Sequence, residues 1–409
     1  MPAATQAAGR PEVSTVVIQP TAFCNIGCTY CYLPDRNDKH VLSQSTITRL
    51  FAELFASGWA AAELTVIWHA GEPLVVPTDF YREAFEAIER LRPPSVAVRH
   101  AFQTNGMLID RDWCALFREW NVGVGVSIDG PQPLHDAHRK TRRGDGTFDK
   151  TIAGIRLLRQ ENVPFHVISV LSRESLAMPE EMLAFYLSEG IEQICFNVEE
   201  SEGSHVSTLF QGVDLRRRYE TFLRRFWHAS QASGRVRFLR EIDHAIPRVF
   251  RPNEAPSRNI QVEPLAMLNV DSRGNVSSFS PELLGLRNAR YADYLLGNIH
   301  THTLAQIHDA CLQSPMFHDI CKGVEACARG CEYYSVCGGG APVNKLFETG
   351  SFTGTQTSYC VLTQMVPTDL LLEAFDRLER GWTSGAANGA MTPGPQAASS
   401  IAQQLSRVP

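Results

Sequence analysis

From about residue 14 to residue 200, short β-branched runs alternate with longer stretches whose apolar residues recur at helical spacing. The runs predict strands over 15–19, 64–68, 96–103, 122–128, 165–171 and 193–198, with helices between them, for example over 79–91 and 148–160. Six successive βα units imply a parallel sheet with right-handed crossovers. Six strands are too few to close like the eight of a full barrel, so the expected α/β fold is a partial (β/α)6 barrel.

Polar or glycine-bearing clusters follow five of these strands directly. They are a cysteine-bearing loop, His69-Ala70-Gly71-Glu72-Pro73, Thr104-Asn105-Gly106, Asp129-Gly130-Pro131 and Glu199-Glu200. Any one of them is an ordinary turn. Five along the C-terminal edge of one parallel sheet mark an active site.

Downstream the pattern changes. Residues 205–258 read as helical and basic, and Arg216-Arg217-Arg218 and Arg224-Arg225 suit a solvated helix face. Residues 259–365 hold fewer helical patterns and most of the remaining cysteines, and a β-hairpin is expected within 269–279. The last stretch is rich in Ala, Gly, Ser, Pro and Gln. The expected organisation is a flexible N-terminus (1–13), the barrel (14–204), a helical connection (205–258), a cysteine-rich domain (259–375) and a disordered tail (383–409).

With 409 residues, 44% of them hydrophobic, the chain can bury a large core. A net charge of −6 without a basic stripe gives no sign of a nucleic-acid partner. No apolar run is long enough to span a bilayer, and the N-terminus lacks the build of a secretory signal. No membrane association is expected, and the location is read as cytoplasmic. In that reducing compartment the 11 cysteines ligate metal more readily than they pair.

Cys24, Cys28 and Cys31 stand as C-x-x-x-C-x-x-C just after the first strand. Three thiolates on one loop can hold three irons of a [4Fe–4S] cube and leave the fourth without a protein ligand. A structural zinc would more naturally use four ligands and C-x-x-C pairs. The arrangement resembles that of the radical S-adenosylmethionine (SAM) superfamily.

That resemblance implies roles for matched residues. The backbone at Tyr30 would lie against the adenine. Gly71 and Glu72 would receive the methionyl ammonium, although Ala70 stands where a first glycine is usual. Ser127 and, twelve residues later, Arg139 would hold the SAM carboxylate, with Asp129 ranked below them as a turn cap.

Cys327, Cys331, Cys337 and Cys360 match the outer auxiliary cluster of the SPASM subgroup, radical SAM enzymes with a cysteine-rich C-terminal extension. Phe279 and Ala341 occupy ligand positions of the inner one, so one auxiliary [4Fe–4S] cluster is expected rather than two, with zinc in the same four thiolates as the alternative. Cys311 and Cys321 fit no ligand position, and Cys114 and Cys195 read as buried thiols.

Longer strings, among them Phe196-Asn197-Val198-Glu199-Glu200 and the run from Cys337 to Lys345, resemble the GRRM-system maturases, of the cyclophane-forming type. This resemblance implies a ribosomally made, glycine-rich precursor peptide, an aromatic-carbon to β-carbon crosslink, and an electron donor such as flavodoxin or ferredoxin. Other SPASM maturases, which oxidise Ser or Cys of sulfatases or form thioethers, are the alternative. No catalytic base is identified; Glu282 is a candidate, and capping a helix after Pro281 is an equal role for it.

Overall fold

The computed structural model describes residues 10–386 apart from 202, 204, 206, 208–213 and 251–257. Strands β1 (Val13–Ile18), β2 (Ala60–Trp68), β3 (Ala97–Thr104), β4 (Gly123–Ser127), β5 (Phe165–Leu171) and β6 (Gln193–Val198) pair in parallel and in chain order. All six predicted strands are present, and β5 and β6 begin and end where the pattern placed them.

The local reasons are ordinary ones. Helix Gln44–Ser57 starts at Ser43, whose side chain accepts from Thr46 N, and stops at Gly58 with φ of 63°. Its buried Ile47, Leu50, Phe51 and Leu54 follow the helical repeat and face the sheet. Replacing the Ser43 cap with alanine costs about 1 kcal/mol. In β1, Val16, Val17 and Ile18 are all buried, because this strand has a neighbour on each edge and a layer on each face. In β5, Val167, Ser169 and Leu171 are buried, while the alternate residues Ile168 and Val170 face the barrel interior.

The sheet grows beyond the barrel on both sides. Strand β7 (Phe238–Leu239) adds in parallel to β6. Strand β8 (Met267–Val270) adds in parallel to β1 and continues antiparallel into β9 (Asn275–Ser278) and β10 (Gly297–Asn298). The order is β10-β9-β8-β1-β2-β3-β4-β5-β6-β7. The hairpin expected within 269–279 is β8–β9. Its turn is held by Asp271, which accepts from the Arg273 and Asn275 amides, and by Gly274 with φ of 79°.

The segment read as helical holds helices Leu215–Ser233, Arg240–Asp243 and Ala245–Phe250, with the two-residue strand β7 before the second. Two expectations need correction. Helices Leu304–Gln313, Pro315–Gly330 and Pro342–Thr349 fill the region read as poor in them. Cysteine and glycine blur the apolar repeat there, but Thr303 and Ser314 cap the first two of these helices through their side chains. Helix Val366–Ala386 also runs past the expected tail boundary at Thr383. Most of that tail, 387–409, and residues 1–9 of the expected flexible N-terminus lie outside the described residues. No helix among the described residues is long and apolar enough to cross a membrane.

Candidate active site

A cavity of about 360 Å³ opens at the C-terminal edge of β1–β6. The post-strand clusters converge on it: Cys24, Cys28 and Cys31 after β1, His69 to Glu72 after β2, Asn105 after β3 and Glu199-Glu200 after β6. The cysteine loop is tied down from outside. Gly27 N donates to Lys140 O at 2.8 Å, Thr29 N to His138 O at 3.0 Å, and Arg142 Nε to Cys24 O at 2.8 Å. All three cysteines are free thiols. Burial pushes the Cys24 thiol up to about 12 and the Cys28 thiol up to about 11. Holding them as thiolates therefore calls for positive charge in the cavity.

The turn after β2 is tightly made. Ala70 and Gly71 both adopt left-handed backbone, with φ of 68° and 75°. A Cβ on Gly71 would lie 2.3 Å from Thr21 O and 2.8 Å from Phe23 O, so only glycine fits between this turn and the cysteine loop. Glu72 is buried. It accepts from Leu74 N at 3.0 Å, Thr104 Oγ1 at 2.6 Å and Asn105 N at 2.8 Å. Burial outweighs these hydrogen bonds and pushes its carboxyl up to about 7. No cation is paired with it among the described residues.

Arg139 has a carboxylate partner within the protein. Its Nε and Nη2 donate to the two oxygens of Asp129 at 2.9 and 3.0 Å, so the forked face meets a carboxylate within the protein. Asp129 is no turn cap. It also accepts from Val170 N at 2.9 Å and from the Tyr30 hydroxyl, and so joins the cysteine loop, β4 and β5. Burial works against its charge, but Arg139 holds its carboxyl below the usual value. Tyr30 lies beneath Arg139, with the guanidinium 5.4 Å from its ring centre. Ser127 and Arg139 both line the cavity, and Ser127 Oγ accepts from Gln103 Nε2 at 2.9 Å.

A second cavity, of about 480 Å³, is lined by Cys327, Cys331, Cys337 and Cys360. The fold thus brings together four cysteines spread over three helices and a loop. After Cys337, Gly338, Gly339 and Gly340 all have positive φ, of 64°, 109° and 76°. This turn aims the Gly339 and Gly340 amides at the Cys337 sulfur. Cys360 Sγ accepts from Thr357 N at 3.5 Å. Phe279 and Ala341 are buried, and Phe279 stacks on Phe317 at 6.1 Å. Cys114, Cys195 and Cys311 are buried free thiols.

The profile described as the radical SAM superfamily matches residues 18–186, the segment that carries the cysteine loop and part of the walls of the first cavity. An uncharacterized protein of Synechocystis sp., sll1766, is 37% identical over 349 residues, covering 84% of this chain and 87% of its own. The chain belongs to the radical SAM superfamily. It is a radical SAM enzyme, and the superfamily binds a [4Fe–4S] cluster and SAM. It is also similar to the serine-type anaerobic sulfatase-maturating enzyme of Klebsiella aerogenes, 28% identical over 331 residues, 78% of this chain and 77% of that one. Among solved structures, anSMEcpe with bound AdoMet and Kp18Cys peptide superposes with a TM-score of 0.72 at 20% identity, covering 90% and 99% of the two chains. Streptococcus suis SuiB bound to precursor peptide SuiA gives 0.60 at 16%, covering 87% and 77%. These likenesses establish the α/β radical SAM fold.

The residues present fit the cofactors of that superfamily. A buried carboxylate without a cation, the three-cysteine loop with two of its thiols raised by burial, and a glycine seat share one cavity of this radical SAM fold. The sequence did not single out Tyr359, which lines the same cavity one residue before Cys360. Its position beside a cysteine was the available signal. Asn344 is likewise in the wall, and its side-chain amide donates to Glu200.

Proposed function

We propose that this radical SAM enzyme modifies a ribosomally synthesised, glycine-rich precursor peptide, joining an aromatic ring carbon to the β-carbon of a nearby residue. One observation carries this reading. A single cavity has the three-cysteine loop in one wall and Tyr359, which precedes Cys360, in another, with Ser280, Glu282 and Asn344 contributed by the C-terminal segment. A substrate side chain seated there lies between the two cysteine sites.

In this reading Cys24, Cys28 and Cys31 hold a [4Fe–4S] cluster with one iron left for SAM, and Cys327, Cys331, Cys337 and Cys360 hold a second. When bound, these groups supply reductive SAM cleavage to a 5′-deoxyadenosyl radical and a place for one electron. Glu72 pairs with the methionyl ammonium, which supplies the cation its burial lacks. Gly71 lets the backbone approach, Ser127 and Arg139 face the carboxylate, and the backbone at Tyr30 lies along the adenine. Forming each crosslink removes two hydrogens from the peptide. One leaves as a hydrogen atom to the radical, the other as a proton and an electron. Glu282 is positioned to take the proton, since it lines the cavity and burial raises its carboxyl above the usual value. An electron donor such as flavodoxin or ferredoxin would feed the first cluster.

A second reading, oxidation of a Ser or Cys side chain on a sulfatase-type substrate, is favoured by the similarity to serine-type and cysteine-type sulfatase-maturating enzymes. Co-expression with a glycine-rich precursor peptide carrying aromatic residues, and separately with a sulfatase-derived peptide, followed by tandem mass spectrometry, separates the two. A loss of two hydrogens localised to a bond between an aromatic residue and a neighbour supports crosslinking. An aldehyde on a Ser or Cys residue supports the second reading, and a thioether or an untouched peptide overturns the first.

A further inference from the structure

Lys345 is a lysine that is only 2% exposed. It sits in helix Pro342–Thr349, and its ammonium has two partners: Gly323 O at 3.1 Å and Cys327 Sγ at 3.3 Å. No carboxylate pairs with it among the described residues. Burying an ammonium is costly unless an opposite charge compensates it. A carbonyl carries no net charge; as a ligand of a bound cluster, the Cys327 sulfur would supply the compensating one. The seat is a built one. A Cβ on Gly323 would lie 3.2 Å from Lys345 Nζ and 2.2 Å from Phe352 O, so glycine there leaves the ammonium its place against the turn that ends in Cys327.

The other hydrogen bonds to sulfur in this site come from neutral groups, backbone amides and the Thr357 hydroxyl. Thr357 N donates to Cys360, and the Gly339 and Gly340 amides to Cys337. Lys345 is the charged donor. We propose that Lys345 sets the reduction potential of the group held by Cys327, Cys331, Cys337 and Cys360, biasing that site toward the electron-loaded state. The inference rests on the reading of these four cysteines as a [4Fe–4S] site. Adding one electron to a thiolate-ligated cluster adds one negative charge, and no proton need move. An ammonium in contact with a ligand sulfur stabilises the more negative state, and hydrogen bonds to the sulfurs raise the potential in the same sense. Lys345 is not among the residues lining the first cavity, so it is a positioning charge rather than a catalytic residue.

The test uses the full-length chain with Cys24, Cys28 and Cys31 all changed to Ala, so that only the second site holds iron. Metal analysis and a dithionite titration with mediators, followed by electron paramagnetic resonance, are run on this parent and on its Lys345→Met and Lys345→Gln forms. The parent is expected to hold about four irons. The Lys345→Met midpoint is expected to fall by at least a tenfold change in the one-electron equilibrium, about 59 mV. Lys345→Gln, which keeps a neutral N–H donor, is expected to fall between the two. If Lys345→Met retains no iron, the shift of Lys345→Gln against the parent decides by the same sign. Midpoints that coincide in iron-loaded proteins overturn the role of Lys345. Stoichiometric zinc and no iron in the parent overturn the cluster reading instead, and the two failures cannot be confused.

Discussion

Arg139 and Asp129 close a two-pronged ion pair in which both side chains are more than nine-tenths withdrawn from solvent. The pair fastens the cysteine loop, through Tyr30, to β4 and β5. Breaking it from one side strands a buried charge, which costs about 3–5 kcal/mol. Arg139→Gln and Asp129→Asn are each expected to lower unfolding free energy by that amount in urea titrations. The double variant should lose less than the sum, because neither charge is then left alone. Arg139→Lys should resemble Arg139→Gln, since an ammonium cannot span both oxygens. Loss of SAM affinity in Arg139→Gln without loss of stability would instead mark Arg139 as a direct SAM contact.

If Glu72 receives the methionyl ammonium, as proposed, its buried carboxyl gives SAM binding a pH signature. It titrates at about 7 and must be ionised to pair with an ammonium. Protonation competes with SAM, so affinity should fall as pH drops through 7 and level off above it. One unit below that value the dissociation constant should rise about tenfold. Equilibrium dialysis of SAM from pH 6 to pH 8.5 measures this. Glu72→Gln should bind weakly with a flat profile; a sloped profile in that variant would assign the titration to another group.

How far the sequence could be read depends on how local each feature is. Strands β5 and β6 were legible to the residue because turn residues bound short apolar runs. The three-cysteine loop was legible because its chemistry lies within eight residues, Cys24 to Cys31. Asp129 was under-read because two of its partners, Tyr30 and Val170, arrive from other strands and loops. Lys345 was invisible, since a lysine on a short helix reads as solvated until the helix is seen packed against Cys327. The second cysteine site could be matched only as a pattern, because Cys360 joins the other three through tertiary packing.

Ala70 carries a left-handed backbone that glycine adopts without cost. Ala70→Gly is expected to raise unfolding free energy by about 0.5–1 kcal/mol, after allowing for the extra freedom glycine gains in the unfolded chain. The neighbouring Gly71→Ala should do the reverse and more severely, because its Cβ meets two backbone carbonyls that cannot swing aside. Parallel chemical denaturation of the two variants checks the sign of each.

Metal content separates the two cysteine sites. The anaerobically reconstituted wild type is expected to bind about eight irons, and the variants with either set of cysteines replaced by alanine about four. Mössbauer spectra should show cubane iron in both halves. About four irons with one zinc in the wild type would assign zinc to the second site.

Glu282 is the test of how the reaction ends. It lies in the short turn Pro281–Leu283, lines the first cavity, and accepts a hydrogen bond from Ser280 Oγ. Burial raises its carboxyl, which makes it a better proton acceptor than an exposed glutamate. If it removes the last proton from the crosslinked ring, Glu282→Gln should leave SAM cleavage running while product formation falls on the order of 10²-fold. The variant would then release 5′-deoxyadenosine without a matching amount of crosslinked peptide, and deuterium placed at the peptide β-carbon would still appear in the nucleoside. Crosslink and 5′-deoxyadenosine falling together would place Glu282 in peptide or SAM binding instead. Equal yields in both proteins would remove it from the mechanism and point to another carboxylate in the same wall, Glu199 or Glu200.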